Sequence, residues 1–251
     1  MGTADRIERE RQAKRTAILD AARELFVERG VEAVTLREVA QKIEYSTTAI
    51  YVHFKDKQDL IEQMCNEDFG KFAGALLAMR DIADPVERLD KLGEAYVQFA
   101  LSMPRHYTLL FLTPATTRVP PDEADDPGFA GFALLLHTVE ECIAQKRFRP
   151  EHTDANGLAL AIWSFVHGLV SLLIVKGHHP HFRWKQPDEL LALGSRPLMR
   201  GLLADPDAYF SRHEPRARAP GRRSPAASAD APHAPTRGRA NGSRGPKRRG
   251  S

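Results

Sequence analysis

The densest run of side chains able to meet phosphate oxygens and base edges lies between Thr35 and Lys57. Ser46, Thr47, Thr48, Ala49, Tyr51 and His53 follow one another with no acid among them, and Lys55 and Lys57 close the run. Small hydroxyls, an aromatic ring and two lysines suit contact with a duplex. The same residues also suit an ordinary solvated helix, and the pattern alone leaves both readings open. Other chemistries have thinner support. There is no Gly-x-Ser-x-Gly, no phosphate loop ending in Gly-Lys-Ser/Thr, no Rossmann fingerprint and no zinc signature. No cofactor is expected, and an enzyme built on a helical scaffold for a small apolar substrate stands as the alternative. His178, His179 and His181 cluster around one proline without a further ligand at helical spacing, so no metal is expected there. Cys65 and Cys142 are far apart and read as buried thiols of a reducing compartment.

Two short helices must position the run. Thr35 with Glu38 three residues on has the spacing of a capping box, and Leu36, Val39, Ala40 and Ile43 recur on one face of the helix it opens. A turn falls at Glu44-Tyr45. Ser46 then caps a second helix that buries Ile50 and Phe54, four residues apart. An earlier helix, from about Gln12 to Arg29, offers Ile18, Ala22, Leu25 and Phe26 to this pair and stops at Gly30. Residues 1–11 lack apolar periodicity and read as a flexible arm, whose Arg6, Arg9 and Arg11, with Lys14 and Arg15 behind them, suit a neighbouring groove; a solvated helix start with Glu8 and Glu10 as intrahelical partners fits them equally well.

Residues 21–60 resemble the N-terminal DNA-binding domain of the TetR family of bacterial regulators. The resemblance is carried by Ala21-Ala22, Leu25-Phe26, Gly30, Thr35, Val39-Ala40, Ser46, Tyr51, His53-Phe54, Lys57 and Leu60. It implies that Thr35, Tyr51, His53 and Lys57 hold phosphates, and that Tyr45, Thr47, Thr48 and Ala49, behind the Ser46 cap, face the bases. Three departures stand out. Glu44 and Thr48 occupy positions where the family usually has Gly, and Ala49 replaces a usual Thr. A Glu in the turn predicts slightly altered turn geometry, because its Cβ disfavours the backbone a Gly adopts.

Downstream, the apolar spacing stays helical. Leu60, Met64, Phe69, Phe72, Leu76 and Met79 mark a helix from Asp56 to about Met79, the natural link between the DNA-binding part and the rest. Val86, Leu89, Leu92, Tyr96, Phe99 and Met103 mark another, and Pro104 opens a short one. Residues 114–127 read as a loop, and the stripe returns from Phe129 to Phe148. The 21 residues from Ala155 to Val175 carry no charge. That length matches a bilayer. His167, Asn156, Ser164 and Ser171 favour a buried central helix instead, and no membrane association is expected. Gly194 and Pro197 predict a kinked or split helix over 188–204.

The formal net charge of +3 hides an asymmetry. Residues 1–60 are neutral, 61–211 carry net −6, and 212–251 carry net +9. That last segment, rich in Arg, Pro, Ala, Gly and Ser, reads as a disordered basic tail, suited either to tethering DNA or to solubility. The expected fold is therefore all-α: an arm at 1–11, a helix-turn-helix domain at 12–56, a larger helical domain at 57–211 and the tail. The charged N-terminal stretch has no apolar run of a signal peptide, which predicts a cytoplasmic protein.

The second half resembles the C-terminal domain of a TetR subgroup marked by Trp, His and Gly, here Trp163, His167 and Gly168, together with PRHYTLLF at 104–111. That resemblance implies a homodimer joined through the last two helices, a double-stranded palindromic operator as partner, and a small, largely apolar effector that releases a repressor. Trp163 and His167 sit one turn apart, on a face able to line a cavity with Tyr96, Phe99, Phe111 and Phe132. Plain core packing accounts for the same six residues equally well.

Overall fold

The structure, a computed structural model, describes residues 2–113, 127–177 and 179–213. Helix α1 spans Thr3–Arg29 and ends at Gly30, whose φ of 80° lets its N–H reach the Phe26 carbonyl at 2.9 Å. The helix begins at Thr3, not near Gln12, so the stretch read as an arm is helical. Its support is local: Arg6 with Glu10 and Glu8 with Arg11, each at 3.8 Å, and Gln12 donating to Glu8 at 2.7 Å. Pairs spaced by three and four residues hold a helix without an apolar stripe, which decides for the solvated helix start over the arm.

Helix α2 (Leu36–Lys42) opens with the expected box: the Thr35 hydroxyl accepts from the Glu38 N–H at 3.3 Å, and the Glu38 carboxylate accepts from the Thr35 N–H at 2.8 Å. The end of α2 corrects the sequence reading of the turn. Glu44 adopts φ 58°, the left-handed backbone a Gly would take, so the turn geometry is not altered. The Glu44 N–H reaches the Gln41 carbonyl at 3.2 Å and the Tyr45 N–H reaches that of Ala40 at 2.9 Å, the paired bonds of a Schellman ending. These bonds hold a conformation that costs a non-glycine residue about 1–2 kcal/mol. Allowing for the entropy a glycine loses on folding, Glu44→Gly is expected to stabilise the protein by about 0.5–1 kcal/mol. A thermal melt should show a rise of roughly 1–4 °C; a fall would mean that Glu44 makes a favourable interaction outweighing its strain.

Helix α3 (Thr47–Tyr51) is capped by Ser46, whose hydroxyl accepts from the Ala49 N–H at 3.2 Å. Ile50 and Phe54 are fully buried against Ile18, Phe26, Val34, Val39, Leu60 and Met64. Helix α4 (Lys57–Leu77) therefore belongs to two cores: Leu60, Ile61 and Met64 to the first, Phe72 and Leu76 to the second.

The larger helical part continues with α5 (Pro85–Ser102), α6 (Pro104–Tyr107), a π-helical turn (Thr108–Leu112), α7 (Pro127–Ala144), α8 (Ala155–Lys176), α9 (Pro187–Leu202) and α10 (Pro206–His213). The loop expected at 114–127 falls almost wholly outside the described residues, as does the tail from residue 214. Two expectations change. Helix α9 runs unbroken through Pro197, with Met199, Leu202 and Leu203 buried beyond the proline, so burial past it outweighs the one backbone bond a proline removes. Arg212 and His213 end a helix, α10, that the sequence did not announce; Tyr209 anchors it, 3% exposed, its hydroxyl donating to the Asp90 carboxylate.

Helix α8 is also not a fully buried central helix. It packs on α7, α5 and α9, but only Ala159, Val166 and Val170 are buried, while Leu160, Leu172 and Val175 are 42–61% exposed and Leu193 of α9 is 59% exposed. Among the described residues it is the one helix long and apolar enough to cross a membrane.

Candidate functional site

The side chains singled out in the sequence converge on one end of the molecule. Tyr45, Ser46, Thr48 and Tyr51 are exposed around α3, with Tyr51 56% exposed; Thr47, Ala49, His53 and Lys57 are half-buried beside them. Thr35 differs from these. Its hydroxyl donates to the Glu38 carboxylate at 2.9 Å while accepting from the Glu38 N–H, so it is committed to the cap of α2. Glu38 is held at a pKa of about 2, first by the Thr35 N–H and then by Arg29 at 2.8 Å.

The N-terminal half of α1 adds cations to this end. His53 titrates below its usual range, chiefly because burial disfavours the imidazolium and next because Arg11, Lys14 and Arg15 lie close. Arg15 is itself pinned, donating to Glu67 at 2.9 Å and Gln63 at 3.1 Å while its guanidinium lies 5.7 Å from the centre of the Phe54 ring. Arg11 and Lys14 remain on the exposed surface. A neutral imidazole surrounded by cations, with no carboxylate on α3, is an environment that an incoming phosphate relieves.

The larger helical part holds a partly open cavity of about 720 Å³, within the range of small-molecule sites. Four of the six residues proposed for it line it: Tyr96, Phe111, Phe132 and Trp163. Trp163 lies 5.8 Å from Phe132 and 6.5 Å from Phe111, ring centre to ring centre, and its indole N–H donates to the Tyr96 hydroxyl at 3.1 Å. The other two sit behind the wall. Phe99 packs edge-on against Phe72 at 5.2 Å, and His167 places Nδ1 2.6 Å from the Tyr107 hydroxyl and 3.1 Å from that of Tyr96. Burial lowers the His167 pKa and raises those of Tyr96 and Tyr107, so all three are neutral near pH 7. Phe69, Phe72, Phe129, Phe165, Tyr209 and Phe210 complete an aromatic lining, and Asp90, Glu94, Asp188 and Arg196 are its charged members. The sequence pattern had shown Phe69 and Phe72 only as helix core.

Residues 18–64 match the family model described as bacterial regulatory proteins, tetR family. Residues 89–196 match a second, described as a tetracyclin repressor-like C-terminal domain. The two matches jointly take in most of the described chain, in the order that the sequence resemblance implied. The chain belongs to the TetR family. Among TetR relatives, it is 35% identical over 85 residues to the HTH-type transcriptional repressor AcnR of Corynebacterium diphtheriae, covering 32% of this chain and 45% of that protein. It is 41% identical over 61 residues to the HTH-type transcriptional regulator AcrR of Shigella flexneri, covering 24% of this chain and 28% of that one. The chain thus spans less than half the length of these relatives.

Solved structures extend the likeness over both parts. A protein of unknown function from Rhodococcus sp. RHA1 superposes with a TM-score of 0.61 at 25% identity, covering 76% of this chain and 95% of its own. A tetR-family regulatory protein from Rhodococcus RHA1 does so at 0.61 and 24%, covering 76% and 98%, a likeness of fold.

Within this TetR fold, one cluster escaped the sequence reading altogether. Arg23 of α1, 2% exposed, donates from Nε and Nη2 to both oxygens of Asp68 of α4, 0% exposed, at 2.8 and 2.9 Å. His106 of α6 sets Nδ1 2.8 Å from the same Asp68. Burial alone would raise the Asp68 pKa; the bonds from His106 and Arg23 outweigh it and hold the carboxyl below its usual range. A signal was present in the sequence: Met64, Asp68, Phe72 and Leu76 run at four-residue spacing, which puts a carboxylate in the middle of a buried stripe.

Proposed function

We propose that this TetR-family chain is a DNA-binding transcriptional regulator, most simply a cytoplasmic homodimeric repressor. Its α3 helices enter successive major grooves of a palindromic operator. The observation that carries this reading is the acid-free, Ser46-capped face of α3, exposed at Thr48 and Tyr51 and flanked by Lys57 and by the cations of α1. Tyr51, His53 and Lys57 hold phosphates, and Tyr45, Thr47, Thr48 and Ala49 face the bases. Thr35 supports this surface as a cap, with its N–H and hydroxyl turned to Glu38.

Dimerisation is supported by the open apolar strip of Leu160, Leu172 and Val175 on α8 with Leu193 on α9, a face that a second copy covers by symmetry. The cavity beside it takes a small, largely apolar effector, and Trp163 with Phe111 and Phe132 forms its aromatic wall. An occupant releases the operator only by binding more tightly to the dimer geometry in which the two α3 helices no longer match the groove spacing. The Trp163, His167 and Gly168 set supports placing the chain in the corresponding subgroup, with His167 orienting the Tyr96 and Tyr107 hydroxyls behind the wall.

Selection from a random duplex library tests the reading. The expected result is a palindromic consensus whose half-sites lie about one helical turn, roughly 34–36 Å, apart, bound by a species that sediments as a dimer. A chain that stays monomeric at every concentration and enriches no duplex would overturn it.

A further inference from the structure

The stretch Arg105–Leu112 faces two ways at once. On one side it reaches the DNA-binding part. Leu109 is buried in the same core as Ile18, Phe26, Val39 and Ile50; Arg105 lies 3.6 Å from Glu24 of α1; and His106 holds Asp68, which in turn holds Arg23 of α1. On the other side it builds the cavity. Tyr107 is fully buried against Tyr96 and bonded to His167, and Phe111 lines the cavity, its ring 4.9 Å from that of Tyr107. Along this stretch Arg105 and Leu109 meet the DNA-binding part, Phe111 lines the cavity and Tyr107 backs its wall.

The backbone here is a π-helical turn, Thr108–Leu112, directly after the four residues of α6. Such turns close their hydrogen bonds one residue further along the chain than the α-helix, are rare, and frequently fall at functional sites. Returning one residue to α-helical geometry rotates the chain beyond it by about 100°. A segment of this kind can pass between two discrete arrangements, the property that coupling between separated sites requires. A buried ion pair is a poor source of stability compared with apolar packing, so its presence at this junction calls for a role in fixing one arrangement.

The geometry points to a specific coupling piece, resting on the reading of the cavity as an effector site: pressure on Phe111 and Tyr107 moves α1 through the His106, Asp68 and Arg23 chain, with His106 as the positioning residue. Helix α4 also runs from one part to the other. His106 is distinct because it ties α6 to α4 at the very carboxylate that holds α1.

The test perturbs the cavity wall by mutation, so that no effector need be known. Phe111→Ala is made in three backgrounds: the native chain, His106→Leu, which removes the bond to Asp68, and His106→Asn, whose amide N–H can replace Nδ1. Two quantities are read: affinity for the duplex obtained by selection, and amide hydrogen exchange over Ile18–Phe26 with no DNA present. In the native chain Phe111→Ala is expected to change duplex affinity about fivefold or more and to alter exchange in α1. With His106→Leu both responses should fall below about twofold, and with His106→Asn they should return. Responses of equal size in all three backgrounds, or none in the native chain, would overturn the proposal. The exchange measurement decides the point even if selection yields no duplex, an outcome that would count against the regulator reading instead. Should His106→Leu fail to fold, Leu109→Val loosens the same segment on its other anchor and carries the same expectation.

Discussion

Asp68→Ala is expected to lower the folding free energy by about 3–5 kcal/mol, the cost of leaving one member of a buried ion pair without its partner. Among the described residues Arg23 would keep only Asp20, at 2.6 Å on a side chain 65% exposed, and its Nε and Nη2 would remain buried with nothing there to accept from them. At roughly 2–4 °C per kcal/mol for a chain of this size, the melting temperature should fall by about 6–20 °C. The sharper result is the double replacement. Arg23→Met with Asp68→Leu removes both charges from the same apolar surroundings, and exchanges of that kind are often neutral or stabilising. The double variant should therefore melt well above the single one. If the two melted together, the loss would be one of packing, and the pair would have no electrostatic part in holding α1 to α4.

The same carboxylate sets a pH dependence. Asp68 titrates below its ordinary value when folded, so its contribution is fully present above the unfolded pKa of roughly 4. It is lost as the pH falls through the lower, folded value. The native chain should lose stability in that acid window, and Asp68→Ala should lose less there, because the variant has no carboxyl at this position to protonate.

The helix-turn-helix was legible because each of its parts is local. The Thr35 and Glu38 box, the Ser46 cap and the Ile50 to Phe54 spacing involve residues three or four apart, and each formed as read. What stayed hidden was non-local or depended on competing terms. The Glu44 turn was misread because steric preference was weighed without the two Schellman bonds that hold it. The helix over Thr3–Arg11 stayed open against an arm because its support is charge pairing and not an apolar stripe, and α9 was expected to break because a proline's local effect was set against no tertiary burial. At the cavity, the sequence pointed to the right helices and then could not separate wall from backing. Trp163 and His167 share a face, yet a rotation of the stripe by less than a turn turns Trp163 to the cavity and His167 to the Tyr96 and Tyr107 hydroxyls. The Arg23 to Asp68 pair joins positions 45 residues apart, beyond the reach of periodicity. An acid inside an apolar stripe was its one outward sign.

Lys57→Ala and Tyr51→Phe are expected to weaken binding of the selected duplex in distinguishable ways. Lys57 is the first residue of α4, beside the end of α3, and among the described residues it has no ion pair to satisfy its charge. A lysine that neutralises a phosphate releases a counterion, so its removal lowers the dependence of log affinity on log salt by about one per contact. A dimer loses two such contacts, and the slope should fall by roughly two. Tyr51→Phe removes only the hydroxyl of a side chain that is 56% exposed. About 1 kcal/mol per lost hydrogen bond, counted in both half-sites, makes a loss of tens-fold in affinity, with the salt slope unchanged because no charge has gone. Both losses should be the same on every duplex, specific or not, since a phosphate contact carries no sequence information. Thr48→Ala, on the exposed face of α3, should instead change which base is preferred at one position of each half-site. Lys57 and Tyr51 are peripheral to the core, so melting should move by less than about 0.5 kcal/mol in either variant. A Lys57→Ala protein that kept the native salt slope would remove Lys57 from the interface, and with it the docking that places α3 in the major groove.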